Sequence, residues 1–250
     1  MNDRPRQPGH NRILEVLPPE DFDRLAPHLV RLDVPHGDVF YEMESRMKYV
    51  YFPSSGMISL VSQSSMGASV EVGLVGREGM VGISTILGVD ETPHLAMMQV
   101  PGVVFRLETA VLKTEFKRGG ALHDLLLRYL HAMLLQISQV AACNRMHNVE
   151  PRMARWLLMT SDRTGMEELP LTQEFLAMML GTRRAGVTQV AIELQKDGLI
   201  SYTYGHITIK DREGLEETAC ECYSIIKTEF ARLVETLSQK SNVSINELRM

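Results

Sequence analysis

Apolar residues change their spacing twice along the chain, and each change marks a different kind of structure. From Val34 to Leu107 they fall in short runs cut by turn residues. Val39 to Tyr41 follows His36-Gly37-Asp38, Tyr49 to Phe52 precedes Pro53, and Met57 to Val61 follows Ser54-Ser55-Gly56. Val70, Val72 and Leu74 alternate strictly, and Leu95 to Val100 and Val103 to Leu107 read as a last pair about Pro101-Gly102. Many short strands with regular turns predict a sandwich or jelly-roll barrel. Upstream, Asn11 to Leu32 is expected to be helical, with Pro18 and Pro19 opening a second short helix over Asp21 to Leu29.

From Leu122 to Asn148 the period becomes helical. Leu126, Leu130, Met133, Ile137, Val140 and Asn144 alternate spacings of four and three, the seam of a coiled coil, which predicts a parallel homodimer; the competing account is a helix buried against its own barrel. Asn148 to Pro151 breaks this helix, with Asn148 as cap of the next over Arg152 to Met159, and 162–170 reads as a polar linker.

In Leu169 to Ile209, two short apolar-periodic segments meet at Gly181: Leu176, Met179 and Leu180, then Val187, Val190, Ala191 and Leu194. Thr172 and Thr182 stand where hydroxyls cap first turns, and Leu171 and Leu176 fit a hydrophobic staple. Gly198 stops the second helix, and Leu199 to Tyr202 and His206 to Lys210 read as strands turned at Gly205. Helix, turn, helix and hairpin is the layout of a winged DNA-reading module, though a hairpin of helices that is merely core has the same period. Asp211 then caps a helix, Leu215 to Leu237 is amphipathic, and 238–250 is expected to fray.

Composition narrows the class. The 250 residues, 44% of them apolar, suffice for one large domain or two ordinary ones. The sequence holds no run of about 18 uninterrupted apolar residues, and its polar first twelve residues lack a signal-peptide core, so a cytoplasmic protein is expected. A net charge of −5 excludes a wholly basic nucleic-acid coat but not a local reading face, and Arg183 and Arg184 lie in a stretch from Gly181 to Val190 that contains no acid.

The candidate chemistry is sparse. The segment VGLVGREGMVGISTILG carries glycines at 73, 76, 79, 82 and 88, which suit either a pocket whose backbone N–H groups bind an anion or the corners of a barrel. Three cysteines, 143, 220 and 222, are too few for a disulfide framework. Cys143 and His147 lie four apart on one helix that also carries His123 and His131, but a buried structural cysteine is the expectation. Cys220 and Cys222, two apart on an expected helix, should diverge by about 200° and chelate poorly. No metal site and no cofactor is therefore assigned. The chain has no GxSxG, HExxH, P-loop or dinucleotide fingerprint, and His36 and His94 stand apart, which argues against an enzyme.

The order of parts, with LTQEFLAMMLGTRRAGVTQVAIELQKDGLISYTYGHITIKD as its most specific stretch, resembles the Crp/Fnr family of bacterial transcription regulators. The resemblance rests on Thr172, Leu176, Ala177, Leu180, Gly181, Arg184, Val187, Leu194, Gly198, Leu199, Ile200, Gly205 and Asp211 and covers about Asn11 to Tyr223. It implies an α+β chain: a jelly-roll effector domain at 11–119, a dimerisation helix at 120–147, a winged helix-turn-helix at 148–223, and a C-terminal helix and tail at 224–250. It also implies a homodimer, through Leu126, Leu130, Met133, Ile137 and Val140, on twofold-symmetric double-stranded DNA, with RNA polymerase as a partner and DNA affinity set by a signal at the barrel.

Arg184 matches the family's base-contacting arginine, and an arginine there reaches guanine O6 and N7. Ala185 and Gln189 replace the glutamate and second arginine of many members, so the target sequence differs; Thr172, Thr182, Arg183 and Thr188 suit phosphates. Aligned on the cyclic-nucleotide cassette, the effector pocket would involve Gly79, Gly82, Ile83, Ser84, Thr85 and His94. Ile83 replaces the ribose-binding glutamate, and Pro93 or His94 the phosphate-binding arginine, which argues against cyclic AMP or cyclic GMP. The lack of N-terminal cysteines argues against the family's iron–sulfur branch. The alternative function is a ligand sensor or scaffold whose helix-turn-helix binds protein.

Overall fold

A computed structural model describes residues 11–233, apart from 66 and 204. The expected polar N-terminus and the fraying of 238–250 lie outside the described residues.

Helix α1 (Arg12–Glu15) is capped by Asn11, whose side chain accepts from Leu14 N at 3.2 Å. The fully buried Asn11 amide also donates to Pro53 O and Gly79 O, each at 2.8 Å, which ties the lead-in to the barrel. Helix α2 (Pro19–Leu25) opens at its prolines as expected, but helix does not continue to Leu32. Val30 to Val34 alternates apolar and polar residues, and this period of two makes it strand β1.

Two antiparallel sheets follow, and together they form the β domain expected from the sequence. One has the order β1-β7-β3, where β7 is Gly102–Glu108 and β3 is Tyr49–Pro53. The other has the order β2-β6-β4-β5, with β2 Val39–Tyr41, β6 Leu95–Val100, β4 Met57–Gln63 and β5 Ser69–Val75. The strands β6 and β7 therefore do not pair with each other. At Pro101 the chain changes sheets, and Gly102 lies so close to the β3–β4 turn that an added Cβ would sit 2.4 Å from Ser55 O.

Helices α3 (Thr109–Lys117) and α4 (Ala121–Met146) follow β7. By length and composition α4 could cross a membrane, but Leu126, Tyr129, Met133, Gln136 and Val140 are buried within the chain, and Gln136 donates to Leu74 O of β5 at 3.1 Å. This corrects the expected dimer seam, because Leu126, Met133 and Val140 face the chain's own core. The apolar row left outward is the neighbouring one, with Leu127 40% and Leu134 57% exposed. The helix is apolar over more than half its circumference, so spacing alone cannot say which of two adjacent rows turns inward.

Helix α5 (Val149–Thr164) starts after Asn148, whose side chain makes no capping bond, and extends past the expected Met159 into the first residues of the segment expected as a linker. Most of it is buried, and it joins three parts of the molecule. Trp156 Nε1 donates to Glu71 Oε1 at 2.8 Å, and the Ser59 hydroxyl donates to Glu71 Oε2 at 2.7 Å. Arg163 pairs with Glu78 at 2.8 Å and donates to Gln136 Oε1 at 2.6 Å. Burial raises the Glu71 carboxyl to about 7, against the pull of its two hydrogen bonds.

The last part is built on β8 (Glu168–Pro170), α6 (Gln173–Met179), α7 (Arg184–Lys196), β9 (Ile200–Thr203) and β10 (His206–Ile209), with the strands in the order β8-β10-β9. Helix α8 (Arg212–Thr218) is capped by Asp211, which accepts from Gly214 N at 3.1 Å. The expected continuous helix from Leu215 is interrupted: Ala219 is extended, and a new helix begins at residue 222. The break returns Tyr223 to α5, where its hydroxyl donates to Asp162 at 2.8 Å.

Candidate nucleic-acid interface

The reading head is assembled from local signals. Thr172 Oγ1 accepts from Phe175 N at 3.2 Å and so caps α6, whose Leu176, Ala177 and Met179 are buried. Gly181 turns the chain at φ +56°, and Thr182 N donates to Ala177 O at 2.9 Å to close the turn. Helix α7 therefore starts one residue later than expected. Its cap position is Arg183, which makes no side-chain capping bond, and Thr182 is not the cap.

Val187, Val190, Ala191 and Leu194 face the core, which leaves Arg183, Arg184, Ala185 and Gln189 exposed and Thr188 half-buried. The Arg184 guanidinium lies 3.5 Å from Glu174, with both side chains more than two-thirds exposed. Such a pair is worth at most about 1 kcal/mol and exchanges readily for a nucleic-acid acceptor. Thr188 donates to Gln173 Oε1 at 2.7 Å, and Gln189 donates to Glu193 Oε1 at 2.7 Å. Ile192, 56% exposed on the same face, joins them although the sequence reading did not include it. Its signal was available: an isoleucine three residues after Gln189 and off the inward row.

The head rests on the barrel's own β4–β5 hairpin. A Cβ at Gly181 would lie 2.9 Å from Val70, and the buried Arg152 donates to Leu180 O at the end of α6. Beside this contact a cleft of about 810 Å³ runs between the hairpin and the head, lined in part by Ser64, Val70, Glu174, Thr182 and Arg184. Arg184 thus borders both the outward face and the hairpin.

The residues expected for an effector pocket make their contacts within the chain. A Cβ at Gly79 would fall 2.4 Å from the Tyr129 hydroxyl, and one at Gly82 would fall 2.6 Å from that of Tyr41. Thr85 is fully buried and returns its hydroxyl to Gly82 O at 2.7 Å. Ile83 is half-buried, and Ser84 meets Met47 Sδ at 3.9 Å. His94 is half-buried with its Nδ1 unpartnered among the described residues, and burial lowers its pKa.

Cys220 and Cys222 do converge, contrary to the expectation of a poor chelate, because the helix break at 219–221 separates them. Their thiols meet Cys143 and His147 at the end of α4, all four ligand atoms lying within 4.8 Å of one another.

Residues 151–218 match the family of Crp-like helix-turn-helix domains. No curated protein matches the chain. Among solved structures, FixK2 from Bradyrhizobium japonicum is similar, at 14% identity over 77% of this chain and 98% of that one, with a TM-score of 0.67. A transcriptional regulator of the Crp/Fnr family from Eubacterium rectale shares 17% identity over 82% and 96% of the two chains, with a TM-score of 0.63. The c-di-GMP-responsive global regulator CLP of Xanthomonas campestris shares 18% over 76% and 98%, with a TM-score of 0.60. At these identities the shared property is the fold.

Proposed function

We infer, from a Crp-like helix-turn-helix set in the fold of the Crp/Fnr regulators, that this chain is a cytoplasmic DNA-binding regulator of transcription acting as a homodimer. The observation that carries this reading is the outward face of α7. Arg183, Arg184, Ala185, Gln189 and Ile192 are presented together beside a hairpin wing, on a scaffold whose inward face is fully packed. Arg184 is the base reader, donating to guanine; Gln189 pairs with adenine, and Ala185 and Ile192 touch thymine methyls. Arg183, Thr172, Thr182 and Thr188 hold phosphates.

Two heads are needed on a twofold-symmetric site, about 34 Å apart. The dimer forms through the outer row of α4, with Leu127, Leu134 and Ala141 exposed and Leu130 and Ile137 half-buried, which keeps the three-and-four spacing of a seam. Signals acting on the barrel reach the heads through the Glu71–Trp156 and Glu78–Arg163 contacts and through the docking of Gly181 on Val70, and RNA polymerase is the partner at the promoter.

Selection from a random DNA pool tests the reading: an enriched twofold-symmetric sequence is expected, bound with an affinity that falls steeply with salt. Arg184→Ala should lower discrimination between that sequence and random DNA by about 1 to 3 kcal/mol. A protein that enriches no sequence, with or without cell metabolites, overturns the DNA-binding reading. Leu134→Glu should shift the chain toward monomer in sedimentation, and a retained dimer would place the interface elsewhere.

A further inference from the structure

The end of α4 and the turn between α8 and the helix from residue 222 bring three thiols and one imidazole to a single point. Cys143 and Cys222 are fully buried and Cys220 nearly so. The sulfurs of Cys143 and Cys220 are 3.5 Å apart, and Cys222 Sγ is 3.6 Å from His147 Nδ1. A tetrahedral zinc ion with Zn–S of about 2.3 Å and Zn–N of about 2.0 Å needs S···S of about 3.8 Å and S···N of about 3.5 Å. We propose that Cys143, His147, Cys220 and Cys222 form a closed, structural Cys3His zinc site that pins the end of the long helix to the back of the reading head.

The surroundings match what such a site requires. His147 directs Nε2 to Glu221 Oε1 at 3.4 Å, which fixes the ring and leaves Nδ1 for the metal, the carboxylate–histidine–zinc arrangement. Gln139 Nε2 donates to Cys222 Sγ at 3.2 Å, a bond suited to a thiolate. Three thiolates and one neutral imidazole leave Zn²⁺ with a net charge of −1. Arg152 and Arg155 are buried beside the cluster, each with an Nε that has no hydrogen-bond partner among the described residues, and both act electrostatically on Cys143. Their charge offsets that of the site.

On binding, Zn²⁺ displaces the thiol protons to solvent and four coordinate bonds form, with no change of oxidation state. The rival chemistry of the same residues is a Cys143–Cys220 disulfide, in which two thiols lose two electrons and two protons to an external oxidant and the sulfurs close to about 2.05 Å.

The test uses the full chain purified under reducing conditions with zinc present and then freed of loose metal on a desalting column. One zinc per chain is expected by elemental analysis, released when a mercurial reagent titrates the thiols. Cobalt substitution should give a thiolate-to-cobalt charge-transfer band and the intense visible bands of a tetrahedral ion. Chelator removal of the metal should lower the melting temperature, and adding zinc back should restore it. Cys222→Ser should abolish stoichiometric zinc. If that variant fails to fold, His147→Gln keeps the three thiolates and should release zinc to a chelator at least tenfold more readily. Wild-type protein with less than a tenth of an equivalent of zinc after this treatment overturns the proposal. So does stoichiometric iron or copper in its place, or a Cys143–Cys220 disulfide in the freshly reduced and desalted protein.

Discussion

The two ends of the molecule use glycine and small residues to opposite effect. In the reading head, Gly181 makes a turn, and the side chains after it stand clear of the fold, with Arg184 and Gln189 exposed. In the barrel, the glycines of 73–82 make room for the molecule itself. Gln136 and Tyr129 of α4 and Arg163 of α5 fill the space that Gly73, Gly79 and Gly76 leave. A glycine-marked strand therefore reads equally well as a ligand cradle or as a seat for a neighbouring helix, and here the seat is occupied. The head is built to meet another molecule, whereas this strip of the barrel is built to hold α4 and α5.

If the strip is a joint, breaking its buried ion pair should have the largest effect. Arg163 and Glu78 are each 7% exposed at the side chain and 2.8 Å apart. Arg163→Met strands the carboxylate, and a loss of about 3 to 5 kcal/mol in denaturant unfolding is expected. A change under 1 kcal/mol would mean that water reaches Glu78 and that the joint is open.

Next in size is Glu71, between the barrel and Trp156. Its folded pKa of about 7 lies above the ordinary 4.5, so its stabilising contribution is fully present below pH 4.5 and is lost as pH rises through 7. Glu71→Gln retains an acceptor for Trp156 and carries no charge. It should match wild type near pH 4.5 and exceed it by up to about 3 kcal/mol at pH 8.5. An advantage that is equal at both pH values would place the carboxyl in contact with solvent.

The same comparison explains what the sequence makes legible. The strands from β2 to β7 and both helices of the head are written in local period and turn residues, so they are readable one segment at a time. The burial of α5 is not: Arg152, Arg155 and Arg163 look like a solvated helix, and only the distant Glu78 and Gln136 account for Arg163. The inward row of α4 is equally hidden, since Leu126 and Leu127 are alike in type and differ only in what packs beside them. At the site, the outward positions of α7 follow from helix geometry, Ile192 among them, since it lies off the inward row of Val187, Val190, Ala191 and Leu194. Cys143, Cys220 and Cys222 come together only through the extended Ala219, which no local signal marks.

Gly79 separates the two uses of glycine directly. Gly79→Ala places a Cβ 2.4 Å from the Tyr129 hydroxyl, which itself donates to Met80 O at 2.8 Å. Overpacking of this kind costs about 1 to 3 kcal/mol, and in a double-mutant cycle Tyr129→Phe should recover part of that cost. Unchanged melting with an altered response to a ligand would instead make Gly79 part of a pocket.

The smallest effect sharpens the reading head. Thr172 and Thr182 are the same residue type, and each precedes a helix, yet only Thr172 accepts from a first-turn amide, that of Phe175. Thr172→Ala should therefore cost about 1 kcal/mol, while Thr182→Ala should stay within a few tenths. On DNA the two should behave alike even though they differ in stability. If both hold phosphates as proposed, each alanine variant should weaken cognate and random DNA to a similar degree. Measured together, unfolding and binding separate capping from recognition. Equal losses of stability would show that α7 is capped by Thr182 after all, and the start of the recognition helix, with Arg184 on it, would move back by one residue.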